Sequence, residues 1–115
     1  MKSKKEWPPE LLQRMYQESR TAMRMVLEHL AARPDTWVPY GELNEAITSE
    51  EDRKVGELSW QLGPFTSRCR ERYGMGWPFE KGLSPTPGEG MRYRMDARVA
   101  ERIRAYARAP RQSGS

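Results

Sequence analysis

The stretch "WPFEKGLSPTPGEGMRYRM", residues 77–95, sets two short apolar–polar alternations around "GLSPTPGEG", whose two prolines and three glycines exclude helix and strand alike. It reads as a hairpin with strands over 77–81 and 91–95. In the second strand Met91, Tyr93 and Met95 fall on one face and Arg92 and Arg94 on the other, because side chains alternate across a strand. The first face asks for a core. The second poses the functional question of what two neighbouring arginines meet. One answer is phosphate. The other is pairing with Glu80 for one arginine and protective charge on an edge strand for its neighbour.

The flanking sequence supplies helices. Downstream, Asp96 stands as a cap for "ARVAERIRAYARA", with Val99, Ala100, Ile103 and Tyr106 as its inner face. Upstream, "TSEED" offers Thr48 or Ser49 as a cap with acids in the first turn, where the helix dipole favours them. From there Val55, Leu58, Leu62, Phe65, Cys69 and Tyr73 recur at steps of three and four. That spacing predicts one helix over 50–73 kinked at Gly63-Pro64, or two helices meeting there, stopped by Gly74 and Gly76. Before it, "TWVPYGELNEAI" (36–47) reads as a short extended piece, Trp37 to Pro39, then a short helix with Leu43, Ala46 and Ile47 inward. Earlier still, Pro8 and Pro9 suit a first helical turn. Leu12, Met15, Tyr16, Ser19, Met23, Val26, Leu27 and Leu30 then form one stripe, on one long helix or on two with a break near Ser19.

The chain has 115 residues, enough for one domain with its own core. The expected organisation is a flexible basic N-terminus (1–7), a single domain (8–108) and a disordered tail (109–115). The start lacks the apolar run of a signal peptide and no segment is apolar enough to span a membrane, so the expected location is the cytoplasm, with no membrane partner. A lone Cys69 and a lone His29 give no internal disulfide and no zinc site, and no cofactor is expected. The glycines of 82–90 match neither a dinucleotide fingerprint nor a phosphate loop. Cys69 lies on an apolar stripe and His29 has no nucleophile partner identifiable by motif. The expectation is a protein that is not an enzyme.

Charge points toward a partner. The net charge is +4, distributed as +3 over residues 1–34, −6 over 35–52 and +7 over 53–115. A basic C-terminal half makes nucleic acid a candidate. The acidic middle requires its own account.

The element order of helix, short strand, short helix, long helix and hairpin, with "AMRMVLEHLAARPDTWVPYGELNEAI" for its first half, resembles the winged helix-turn-helix superfamily over residues 19–95. The whole chain, with "ERYGMGWPFE" and "MRYRM", also resembles small bacterial winged-helix domains of unassigned function. The resemblance implies an α+β, mainly α fold: a three-helix core plus β-hairpin wing, with an N-terminal helical extension and a C-terminal helix. It places 50–73 in the recognition-helix position and 77–95 in that of the wing, and implies binding of double-stranded DNA by a small transcriptional regulator. On the outward face of that helix Arg53, Gln61, Ser67 and Arg68 suit base edges or phosphates. Lys81, Arg92 and Arg94 are the wing contacts. A homodimer through the N-terminal or C-terminal helix is expected. The alternative is a protein-interaction module without DNA binding, its surface formed by Trp60 and the acidic segment with Glu50 and Glu51. Trp60 itself is either covered by the N-terminal helix or the anchor of a partner.

Overall fold

The computed structural model describes residues 6–48 and 58–108. These form α1 (Pro9–Glu18), α2 (Thr21–Ala31), β1 (Val38–Pro39), α3 (Tyr40–Thr48), α4 (Leu58–Arg68), a π-helical turn (Cys69–Tyr73), β2 (Glu80–Leu83), β3 (Met91–Arg94) and α5 (Ala97–Arg108). The fold is α+β and mainly helical, with one three-stranded antiparallel sheet in the order β1-β3-β2.

The long N-terminal stripe is two helices. Ser19 and Arg20 both adopt extended backbone (φ −76°, ψ 150° and φ −73°, ψ 163°). Side chains stabilise the corner by satisfying the carbonyls that a helix end leaves open. Ser19 Oγ donates to Met15 O at 2.7 Å, and the Arg24 guanidinium donates to Tyr16 O at 3.2 Å and Gln17 O at 2.8 Å. Each helix keeps its own buried stripe: Leu12 and Met15 on α1, and Met23, Val26, Leu27 and Leu30 on α2.

At the far end of α2, Arg104 from α5 donates to Ala31 O at 2.7 Å and so caps the helix across the core. The chain then reverses through Asp35, which holds φ at 58° and donates its N–H to Met95 O at 2.7 Å. This bond starts the approach of β1 to β3, which pairs Val38 with Tyr93. Tyr93 and Met95 are buried beneath the sheet as their alternation predicts, together with Leu43, Ile47, Phe65 and Ile103. Phe65 is 1% exposed and stacks with Phe79 at 6.4 Å, so its truncation to Ala should cost about 3–5 kcal/mol.

Two expectations about element ends are corrected. β2 runs over Glu80–Leu83, not over 77–81, and β3 over Met91–Arg94. Trp77, Pro78 and Phe79 instead turn into the core region ahead of the strand, while Gly82 and Leu83 join the ladder because Arg92 and Met91 lie opposite them. The helix ahead of the hairpin passes through Pro64, whose ring is on the exposed side, and widens into the π-helical turn at Cys69. Gly74 then ends it at φ 67°, a left-handed conformation that favours glycine. The cap predicted at Thr48 or Ser49 and the helix start over 50–57 lie outside the described residues.

Candidate functional site

The outer face of the sheet answers the question posed by the arginines: they meet Trp37. The Arg92 and Arg94 guanidinium carbons lie 4.4 Å and 4.9 Å from the centroid of its ring. Trp37 precedes β1, whose Val38 points into the core opposite Tyr93, so alternation puts Trp37 on the arginine side. Gly82 makes room for the ring, since a Cβ there would lie 3.3 Å from Trp37 Cη2. The result is a plate in which one indole holds two cations.

The two arginines are not equivalent. Arg94 donates from Nη2 to Glu80 Oε1 at 2.8 Å across the β2–β3 pair, with both side chains about one-third exposed. Arg92 has no carboxylate partner among the described residues. The Nε atoms of both are buried without an acceptor among the described residues, a cost that attraction to the ring partly offsets. Arg92 is therefore the cation of this plate whose terminal nitrogens stand available to an anion.

Lys81 does not belong with them. It lies opposite Tyr93 in the ladder and thus on the other face of the sheet, with Nζ 5.3 Å from the Trp77 ring centroid. Trp77 is held there by its own N–H, which donates to Thr66 Oγ1 at 2.7 Å, and by stacking on Phe79. The expected wing trio is split by register: residues directly opposite share a face, so Glu80 and Gly82 accompany Arg94 and Arg92 while Lys81 cannot.

On α4, Ser67 is exposed, and Gln61 and Arg68 are half-buried, with the Arg68 guanidinium 6.0 Å from the Phe65 ring. Gln61 and Arg68 are seven residues apart and share one stripe, beside Ser67. Arg53, Glu50 and Glu51 lie outside the described residues, as does the side chain of Trp60. The packing partners of α1 are α5 and the π-helical turn: Trp7 lies 5.7 Å from Tyr73, and Tyr16 lies 6.0 Å from Tyr106.

Part of the acidic middle is accounted for by internal pairing. Glu42, in the first turn of α3, sits with Oε2 2.8 Å from His29 Nε2 and 3.3 Å from Arg33 Nε at the end of α2. At the start of the chain, Glu18 accepts from Tyr73 Oη and lies 3.2 Å from Arg14 and 3.3 Å from Arg72. The tyrosine hydroxyl first, and then the two arginines, hold its carboxyl below the ordinary value. At the hairpin end Glu89 accepts from Ser84 Oγ. Cys69 is fully buried, and burial pushes its thiol up to about 12 despite the neighbouring Arg68, which makes it an inert apolar filler. Among the described residues no three His, Cys, Asp or Glu side chains gather as a metal site requires, and no helix is long and apolar enough to cross a membrane.

Comparison with protein-family models, with curated proteins and with solved structures gives no match.

Sequence reasoning missed Trp37. The signal was present, because a tryptophan one residue before a core-facing Val38 must stand on the face that the arginines occupy.

Proposed function

We propose that this chain is a winged-helix DNA-binding protein, a small cytoplasmic transcriptional regulator rather than an enzyme, with 50–73 as the recognition segment and the β2–β3 hairpin as the wing. The observation that carries the reading is topological. A strand placed between the second and third helices in the chain, β1, pairs with the returning strand of the hairpin, giving the order β1-β3-β2 packed on α3. The element order of helix, strand, helix, helix and hairpin is the one on which the winged helix-turn-helix resemblance rests, and this supports the reading.

Electrostatics support the same reading. Residues 53–115 carry +7, and Arg92, held against Trp37, has no carboxylate partner among the described residues. In this reading Arg92 and, more weakly, Arg94 contact phosphates, while Gln61, Ser67 and Arg68 of α4, with Arg53 ahead of it, face the groove. Lys81 is left out of the contact set by its face of the sheet. A homodimer would use α1 or α5.

The test is anisotropy of a generic labelled duplex titrated at several salt concentrations. Each neutralised phosphate contributes about 0.9 to the slope of log affinity against log salt. Arg92→Ala should lower that slope by about one, and Arg94→Ala by less than one because Glu80 already neutralises it. Absence of duplex binding at low salt would overturn the reading.

A second reading, a winged helix that binds protein, is favoured by the end of the hairpin. Leu83 is 71% exposed there, and no lysine or arginine lies between Gly82 and Gly90. Trp60, Glu50 and Glu51, outside the described side chains, are the other residues named for that reading. Partner binding lost in Leu83→Ser, with no affinity for duplex, is its expected signature.

A further inference from the structure

The plate on the outer face of the sheet carries two guanidinium groups, and the neighbouring strand answers them differently. Glu80 stands directly opposite Arg94 in the β2–β3 ladder, so register alone delivers its carboxylate to Arg94 Nη2 at 2.8 Å. Arg92 stands opposite Gly82, which offers no side chain. β3 therefore presents the same cation twice on one face, and among the described residues only Arg94 is met by an acid.

Stability explains the Glu80–Arg94 pair poorly. The two side chains are 37% and 35% exposed, and ion pairs this open to water contribute little to folding. Nor does the acid alone place the arginine. Trp37 holds both guanidinium groups by its ring, with the carbon of Arg92 at 4.4 Å and that of Arg94 at 4.9 Å from the centroid. What the carboxylate changes is charge. A phosphate oxygen approaching Arg94 meets a guanidinium already bonded to an anion, and has to displace Glu80 or share the cation with a like charge.

We infer that Glu80 is a negative determinant of backbone affinity, withholding Arg94 from phosphate and leaving Arg92 as the full phosphate contact of the plate. The inference rests on the DNA-binding reading and adds a restraint to it. Sequence-blind attraction to the duplex is held down, so contacts of α4 with base edges carry more of the recognition.

Glu80→Gln keeps the length of the side chain and an oxygen acceptor for Arg94, and removes only the charge. In titrations of a generic labelled duplex it should bind about five- to tenfold more tightly at about 0.1 M salt, with a salt slope steeper by about one for the additional neutralised phosphate. Loss of any acid strengthens attraction to DNA, and two further variants separate that general effect from release of Arg94. Glu89→Gln removes a carboxylate from the loop of the same hairpin, where it accepts from Ser84 Oγ and holds no arginine. It should change affinity less than about twofold and leave the slope as it was. In an Arg94→Ala background, Glu80→Gln should leave the slope where Arg94→Ala alone sets it, because no second guanidinium is there to release. A parent that binds duplex and a Glu80→Gln variant of equal affinity and slope would overturn the inference and leave the DNA-binding reading standing. A gain that Glu89→Gln matches, or that persists without Arg94, would overturn it as well, since net charge would account for the whole effect. If neither the parent nor any variant binds duplex at low salt, both the inference and the reading beneath it fall.

Discussion

Truncating Trp37 to Ala should remove the plate on the outer face of the sheet, and the size of the effect follows from its contacts. A half-buried indole hides about 100 Å² of apolar surface, worth about 2.5 kcal/mol at 25 cal/mol per Å². The contacts with Arg92 and Arg94, at 4.4 Å and 4.9 Å, add about 0.5 kcal/mol each at a site open to solvent. Trp37→Ala should therefore lower stability by about 3–4 kcal/mol. Arg92→Ala alone should be near neutral, because losing the ring contact is offset by deleting a buried Nε–H that has no acceptor. The discriminating quantity is the coupling between the two changes. Urea unfolding of the wild type, both single variants and the double variant should give an interaction energy of about 0.5–1 kcal/mol. A coupling below about 0.3 kcal/mol, within the error of additivity, would mean that Arg92 merely lies near the ring and is not held by it.

Cys69, buried and with its thiol pushed up to about 12, should stay unlabelled by a thiol reagent in the native state at pH 8 and react fully in denaturant. Cys69→Ala should cost only about 1 kcal/mol. Glu18 titrates below the ordinary 4.5 in the folded chain, so the stability it contributes is present above that pH and lost as pH falls through the lowered value. Tyr73→Phe removes the largest cause of that shift and should flatten the acid arm of a melting-temperature profile; an unchanged arm would assign the shift to Arg14 and Arg72. At the alkaline end the sign reverses, because burial raises the Tyr73 and Tyr93 hydroxyls above 10, and stability complete below that value should fall as pH rises past it. Asp96→Ala should cost about 1 kcal/mol by removing the acceptor of Val99 N–H, read as a lower thermal midpoint, while Asp96→Asn should retain most of it.

What was legible in the chain was whatever depends on local period. Met91, Tyr93 and Met95 announced a core face by alternation alone, and Asp96 announced the start of α5 by its chemistry and position. The corner at Ser19 was visible only as one of two options, because the deciding groups include Arg24, five residues further on, bonding back to Tyr16 O and Gln17 O. What depends on register was not legible. Proline and glycine in 82–90 argued against strand at Gly82, yet there the missing Cβ is what admits the Trp37 ring. The face taken by Lys81 hinged on which residue stands opposite it, and a slip of one position exchanges the faces. The site suffered most from this: three cations close in sequence and alike in chemistry resolve into one paired, one available and one on the other side.

The contact between α1 and α5 joins the two ends of the described chain. Tyr106 donates to Pro9 O at 3.2 Å, and Arg98 reaches Glu6. Contacts of such long sequence separation close late, since their loop entropy is offset only after the intervening elements have formed. During synthesis α1 emerges before both of its packing partners, the π-helical turn and then α5, whose Tyr106 follows Pro9 by almost one hundred residues. Part of its surface therefore waits for α5, although Leu12 and Met15 are buried in the finished fold. A nascent chain arrested before residue 106 would lack the Tyr106 contacts with Pro9 and Tyr16 that the folded chain makes.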